Sequence, residues 1–206
     1  MQRSTCHTQP QSAPAGFAER RSADRTRMVY RLVHIAHGDD EGLARCRNIS
    51  DGGMKLELTM PVRIGARLTV TLSSSFACTG RVIWARGGEC GLAFDSPIDS
   101  AGYLRESAVE AAAETGCAPR LTANVRAVVR WDGRTHEAVS SDLSQHGMTL
   151  RHDGAFRAGL RVTVMLGEGR ERPGVVRWSR GELADLVLLE PFSVAELGSV
   201  GALAAR

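Results

Sequence analysis

Two short clusters in the chain hold residues suited to gripping an anion or a nucleobase. The first is Arg21-Ser-Ala-Asp-Arg25, with Arg20 directly ahead of it. The second is Asn48-Ile-Ser50-Asp-Gly-Gly53. A guanidinium is a planar fork. It meets phosphate, or the O6/N7 edge of guanine, through two parallel hydrogen bonds, and it stacks on a purine face. An asparagine amide presents both an acceptor and a donor. Ser50 adds a compact hydroxyl, and glycine at position 53 permits a turn and close approach of a ligand. Taken singly, the arginine pair reads as a solvated basic linker, and the second cluster as an Asx-type turn between strands. Their occurrence together, in this order, points to a ligand.

The second cluster is written twice. Asp142-Leu-Ser144-Gln-His-Gly147 follows Asn48–Gly53 at an offset of 94 residues, from 142 minus 48. The register then holds without a gap. Arg63, Gly65, Arg67, Val70, Leu72, Gly80, Val82, Trp84 and Arg86 return as Arg157, Gly159, Arg161, Val164, Leu166, Gly174, Val176, Trp178 and Arg180. The chain is therefore a tandem duplication, and differences between the copies are informative. Arg120 aligns with Arg25 after a one-residue shortening, but the position of Arg21 is Gly116. Arg126-Ala-Val-Val-Arg130 repeats the arginine spacing inside the first strand of the repeat and is not counted as an arm. Arg120, Asp142, Ser144 and Gly147 thus make half a site, and the second copy is expected to be degenerate.

The elements that must position these residues are short strands. In repeat one they are Met28–Ile35, Leu43–Asn48, Met54–Leu58, Ala66–Ser73, Phe76–Arg86 and Gly91–Phe94, with turn chemistry at Gly38–Gly42, Gly52-Gly53 and Gly87-Gly88. Ser100–Glu114 is a good helix former. Repeat two runs the same course, through Asn124–Trp131, Thr135–Asp142, Met148–Arg151, Leu160–Leu166, Gly174–Arg180 and Ala184–Leu189, and closes on an apolar helix over Val194–Ala204. Strands so spaced predict a small antiparallel barrel or sandwich per repeat. Trp84 and Trp178 are expected as core or inter-domain packing residues.

The arginine pair, the Asn48 signature and the six-strand pattern together resemble the PilZ domain family. The resemblance spans Arg20 to Ser96, including Gly91-Leu-Ala-Phe94, and extends less completely over Arg120 to Phe192, where that tetrapeptide becomes Asp185-Leu-Val-Leu188. It implies an all-β chain of two tandem six-stranded antiparallel PilZ-type β-barrels, each followed by a helix. It also implies a receptor for cyclic di-GMP, with Arg20, Arg21, Arg25, Asn48, Ser50 and Gly53 as ligand residues. On this reading the arm is mobile without ligand and orders over the barrel when ligand binds. The signal then passes to an unidentified protein effector in motility, polysaccharide or pilus machinery. The alternative is a PilZ-type adaptor that binds protein but no nucleotide. The expected divisions are a flexible tail over 1–18, a domain with intact motifs over 19–115, and a degenerate companion over 116–206.

Bulk properties narrow the function further. The net charge of +3 is matched by the stretch from Glu19 to Arg31, where Arg20, Arg21, Arg25, Arg27 and Arg31 outweigh Glu19 and Asp24. The aromatic residues are not interleaved with that cluster, so no nucleic acid is expected as a partner. There is no nucleophile–base pair, phosphate loop or paired-carboxylate arrangement, so the chain is not expected to be an enzyme or to carry a cofactor. The five cysteines are odd in number and lack metal spacing. They read as reduced thiols in a cytoplasmic protein. No stretch is long and apolar enough to insert in a membrane.

Overall fold

The computed structural model describes residues 27–73, 76–112, 119–167, 169 and 171–205. Repeat one contains β1 (Arg27–His37), β2 (Asp40–Ser50), β3 (Gly53–Glu57), β4 (Arg67–Ser73), β5 (Phe76–Arg86) and β6 (Glu89–Phe94), followed by α1 (Ser100–Ala112). The strands close into a barrel in the order β1-β2-β3-β6-β5-β4, with β4 pairing back on β1. Closure removes the free edges that an open sheet of this size would expose. The expected choice between barrel and sandwich is thereby settled as barrel.

Repeat two contains β7 (Leu121–Thr122), β8 (Arg126–Trp131), β9 (Arg134–Ser144), β10 (Gly147–Arg151), β11 (Arg161–Leu166), β12 (Arg172–Arg180) and β13 (Leu183–Leu188), then α2 (Val200–Ala204). The order is β10-β13-β12-β11-β8-β9, and β9 pairs back on β10 to close the ring. β7 and β8 both pair with β9, as the two halves of β1 pair with β2, so the seven strands make the same six-stranded wall. The duplication holds at the level of single hydrogen bonds. Gly65 and Gly159 both adopt positive φ, at 86° and 81°, and each N–H donates to the matching valine carbonyl, Val82 or Val176, at 2.8 Å. That backbone conformation favours glycine over any residue with a Cβ.

Each barrel is filled by alternating inward residues. Val33, Ile35, Ala44, Leu56, Leu68, Val70 and Leu92 fill the first; Val129, Leu143, Met148, Leu150, Val164 and Leu186 fill the second. Cys46, Cys78 and Cys90 lie in the first core, and burial pushes their thiols up to about 11, 12 and 11, with Cys46 adding to the effect at Cys78. Burial disfavours the thiolate, which is the nucleophilic form.

Repeat one is keyed into repeat two. Leu43 points outward from β2, is fully buried, and belongs to the core of the second barrel. Its N–H donates to the Leu197 carbonyl at 2.7 Å. Asp40 accepts from the Ser199 hydroxyl at 2.6 Å and the Gly201 N–H at 2.8 Å. Thr59 donates to the Ala195 carbonyl at 3.2 Å. These contacts correct one expectation. The last helix does not run from Val194; it begins at Val200, capped by Ser199, whose hydroxyl accepts from Ala202 N–H. A Cβ at Gly198 would collide with Thr59, so docking against repeat one fixes this backbone instead of helix propensity.

Candidate functional site

Arg20, Arg21 and Arg25 lie outside the described residues, as do Gly116, Cys6 and Cys117. The structure does describe the surface next to which the arm enters the barrel. Arg27 pairs with Ile49 and Met28 with Asn48, so β1 starts beside the Asn48 signature.

Asn48 opens an outward-facing row that crosses four strands. It pairs with Lys55 of β3, Lys55 pairs with Gly91 of β6, and Gly91 pairs with Trp84 of β5. Met54 and Leu56, on either side of Lys55, point into the core, so the alternation of the strand turns Lys55 outward. Asn48 is half-buried and its side chain has no hydrogen-bond partner among the described residues. The Trp84 indole lies over Gly91, where any Cβ would collide with it. Trp84 is 38% exposed, and Lys55 Nζ stands 6.0 Å from its ring while pairing with Glu89 at 2.8 Å. Trp84 is therefore not the packing residue expected from the sequence: a β-bulge between Val82 and Trp84 turns it onto the outer wall. Trp178, after the matching bulge, is likewise outside the core and only half-buried.

The row combines an amide, an ammonium and an aromatic face. Trp84 and Lys55 were not among the residues expected to contact a ligand. The available signal was the glycine at 91, which only an overlying group requires.

Ser50 and Gly53 lie in the turn between β2 and β3. The Ser50 hydroxyl donates to the Gly53 carbonyl at 3.2 Å, across the turn. Gly53 has an ordinary φ; it is glycine because the Leu92 carbonyl of β6 occupies the space of a Cβ. Repeat two repeats both features. Ser144 donates to the Gly147 carbonyl at 3.1 Å, and Leu186 O fills the space beside Gly147. Serine and glycine thus build the β2–β3 and β9–β10 turns, which explains why both survive in each copy. The Asp51 of the same turn accepts from the Ser100 N–H at 3.0 Å and hydroxyl at 2.6 Å, which ties the signature to the start of α1.

In repeat two the corresponding row is Asp142, Thr149, Asp185 and Trp178. Here the surface is closed by its own charges. Arg120 Nε donates to Asp142 at 2.7 Å and an Arg120 terminal nitrogen reaches Asp185 at 3.4 Å. Arg177 pairs with the other oxygen of Asp185 at 2.9 Å. Asp185, only 4% exposed, stands where repeat one has Gly91. Of the four half-site residues, the structure joins Arg120 to Asp142 and leaves Ser144 and Gly147 to the turn.

Beside the first row lies an open groove of about 580 Å³ between the repeats. Arg45, Arg47, Glu57 and Glu89 line it from repeat one, and Ser193 and Val194 from repeat two. Arg47 pairs with Glu57 at 3.1 Å and lies 4.8 Å from the Tyr30 ring. The described residues contain no group of side chains that could hold a metal ion. Among them, no helix is long and apolar enough to cross a membrane.

A model of the PilZ domain matches the chain twice, over residues 19–108 and 116–191. No curated protein matches the chain. Among solved structures, PlzA of Borreliella burgdorferi in complex with c-di-GMP aligns at 12% identity and a TM-score of 0.34, covering 76% of this chain and 79% of PlzA. The Bacillus subtilis inhibitor of motility MotI/DgrA aligns at 14% and 0.30, covering 84% and 91%. YcgR of Escherichia coli in complex with c-di-GMP aligns at 11% and 0.28, covering 80% and 76%.

Proposed function

The chain belongs to the PilZ domain family, and from that premise we propose that it is a cyclic di-GMP receptor, not an enzyme, whose first barrel holds the ligand. The observation that carries this reading is the row Asn48–Lys55–Gly91–Trp84, an open recognition surface at the point where β1 begins. Arg25 precedes Arg27 by two residues and Arg21 precedes it by six. At about 3.5 Å per residue they reach roughly 7 and 20 Å from the barrel rim, enough to close over a ligand on this row. The guanidinium forks of Arg20, Arg21 and Arg25 take the phosphates and guanine edges. The Asn48 amide serves a guanine edge. Lys55 adds a positive charge, and Trp84 gives a base a face to stack on. Ser50 and Gly53 contribute mainly by setting the turn that holds Asn48, and the Ser50 oxygen remains able to accept.

The second barrel presents no such opening. A phosphate approaching Arg120 would have to displace Asp142 and Asp185, which already use its hydrogen-bonding fork. We therefore assign it the role of a companion domain with no nucleotide of its own. Ordering of the arm changes the surface bordering the inter-repeat groove, and the signal passes from there to a protein partner.

Calorimetric titration with cyclic di-GMP tests the assignment. Wild type is expected to bind at the first barrel only. Arg21→Ala and Arg25→Ala each remove charge-assisted contacts of about 1.5–3 kcal/mol, a loss of roughly ten- to a hundred-fold in affinity. Unchanged affinity in both variants rules out the arm. Unchanged affinity in Asn48→Ala and Trp84→Ala rules out the row.

A further inference from the structure

A second row of outward residues, five strands wide, distinguishes the copies and is independent of the nucleotide reading. In repeat two it runs Arg126–Val139–Arg151–Leu183–Arg180, across β8, β9, β10, β13 and β12. All five side chains are exposed, Val139 at 37% and Leu183 at 39%. At about 4.8 Å per strand, successive arginines stand roughly 10 Å apart around the wall. None of the three is ion-paired among the described residues: Arg151 reaches only the Asn124 amide oxygen, at 3.4 Å, and the Arg180 guanidinium lies 6.0 Å from the Trp178 ring.

Repeat one has the same row in a neutral form. There it reads Leu32–Arg45–Glu57–Glu89–Arg86, and both glutamates are paired, with Arg47 and Lys55. Moving from the first copy to the second, the two carboxylates become Arg151 and Leu183, and Arg45 becomes Val139. Of the acidic residues close to the row in sequence or register, Asp153 pairs with His136 at 3.4 Å, Asp142 and Asp185 are held by Arg120 and Arg177, and Glu137 and Glu182 stand in neighbouring registers. The row thus alternates like charges with exposed apolar groups and holds no carboxylate to neutralise them.

We propose that this row is a docking surface for an acidic, apolar segment of a protein partner, laid across the strands of the second barrel. Arginine supplies bidentate contacts to carboxylates and packs through its stem. Val139 and Leu183, between the arginines, offer buried area that a phosphodiester backbone has no group to use. Protein interfaces combine arginine anchors with apolar contacts in this way. Single-stranded nucleic acid instead needs stacking platforms along the track, and the only aromatic residue here, Trp178, lies beside Arg180 at one end.

The test uses the full chain and a synthetic octapeptide of alternating glutamate and leucine, followed by NMR titration. Amide shifts are expected to concentrate on β10 and β13. The double variant Arg151→Glu/Leu183→Glu places in repeat two the residues that repeat one carries at these positions, so the barrel has a precedent for accepting them. It is expected to weaken binding about tenfold or more, while Arg63→Glu in repeat one changes it less than about twofold. Arg151→Gln/Leu183→Ser gives the same readout if the glutamates unfold the domain. The inference is overturned if wild type does not bind the peptide, or if Arg63→Glu has an equal effect. It is also overturned if a glutamate–serine octapeptide binds as well, or if a 20-base-pair DNA duplex binds more tightly with the same sensitivity to the double variant.

Discussion

Leu43→Ala offers a direct measure of how firmly the two barrels act as one body. Leu43 leaves β2 on the outer side of the first barrel, yet it is fully buried in the core of the second. Removing a buried leucine side chain to Ala costs about 2–5 kcal/mol, depending on how far the cavity relaxes. The Leu43 N–H bond to the Leu197 carbonyl belongs to the backbone and survives the change, so the effect isolates side-chain packing. For a chain of this size, about 2–4 °C is lost per kcal/mol, so a central loss of about 3 kcal/mol lowers the melting temperature by roughly 6–12 °C. The informative readout is hydrogen exchange resolved by strand. A residue of repeat one is expected to lower the protection of β7 and of the stretch from Leu197 into α2, the parts of repeat two that meet β2. Leu56→Ala, confined to the first core, is expected to lower protection in β3 and β6 first. If Leu43→Ala leaves β7 and the Leu197–α2 stretch as protected as in wild type, the keyed interface is refuted.

Three further outcomes follow from the geometry. Trp84→Ala is expected to weaken cyclic di-GMP binding by about 1–3 kcal/mol, or roughly 5- to 150-fold, with Trp84→Phe recovering part of the loss in the same titration. Cys46, Cys78 and Cys90 are expected to resist a thiol reagent at pH 8 in a Cys6→Ser/Cys117→Ser background and to react fully on denaturation. Their raised folded values mean that the stability they contribute, complete below about pH 8.5, is lost as pH climbs toward 11 and 12, which alkaline melting curves check. At Glu196, burial works to raise the carboxyl, but hydrogen bonds from Ser193 and the Arg172 ion pair outweigh it and hold it below its ordinary value. A depressed carboxyl stabilises the fold above the unfolded value of about 4.3, and that contribution is lost as pH falls below it; Glu196→Gln is expected to flatten the acid side of the stability profile.

Much of this was legible in the residues because the barrel repeats a simple period. The strands follow from alternation and turn chemistry: Phe76–Arg86 has the expected bounds, and the Gly87-Gly88 turn adopts positive φ at both residues, as a tight hairpin requires. What alternation does not report is a bulge. One extra residue at Val82–Trp84 moves a tryptophan from the core to the wall, and the same slip recurs at Trp178. Nor does helix propensity report docking. The run from Val194 favours a helix, but contacts of Gly198 with Thr59 and of Ser199 with Asp40 delay it to Val200. Leu43 could have been read in advance. It sits at an outward position where repeat two carries Glu137, and an apolar residue there needs a partner surface.

The signature itself is better understood from two copies than from one. Serine and glycine occur in both because each turn needs a hydroxyl bridge and a position without a Cβ. The discriminating positions are the ones that changed: Asn48 against Asp142, Lys55 against Thr149, and above all Gly91 against Asp185. Carboxylates at 142 and 185 hold Arg120 and Arg177 on the wall and cover the surface with charges the chain already owns. A glycine at 91 leaves the same place to an indole and open solvent. The changes at these positions thus separate a barrel whose outer row is open from one whose row is covered by its own ion pairs. In the neighbouring row the copies differ again: Glu57 and Glu89 of the first stand where the second has Arg151 and Leu183, the surface we propose for a protein partner.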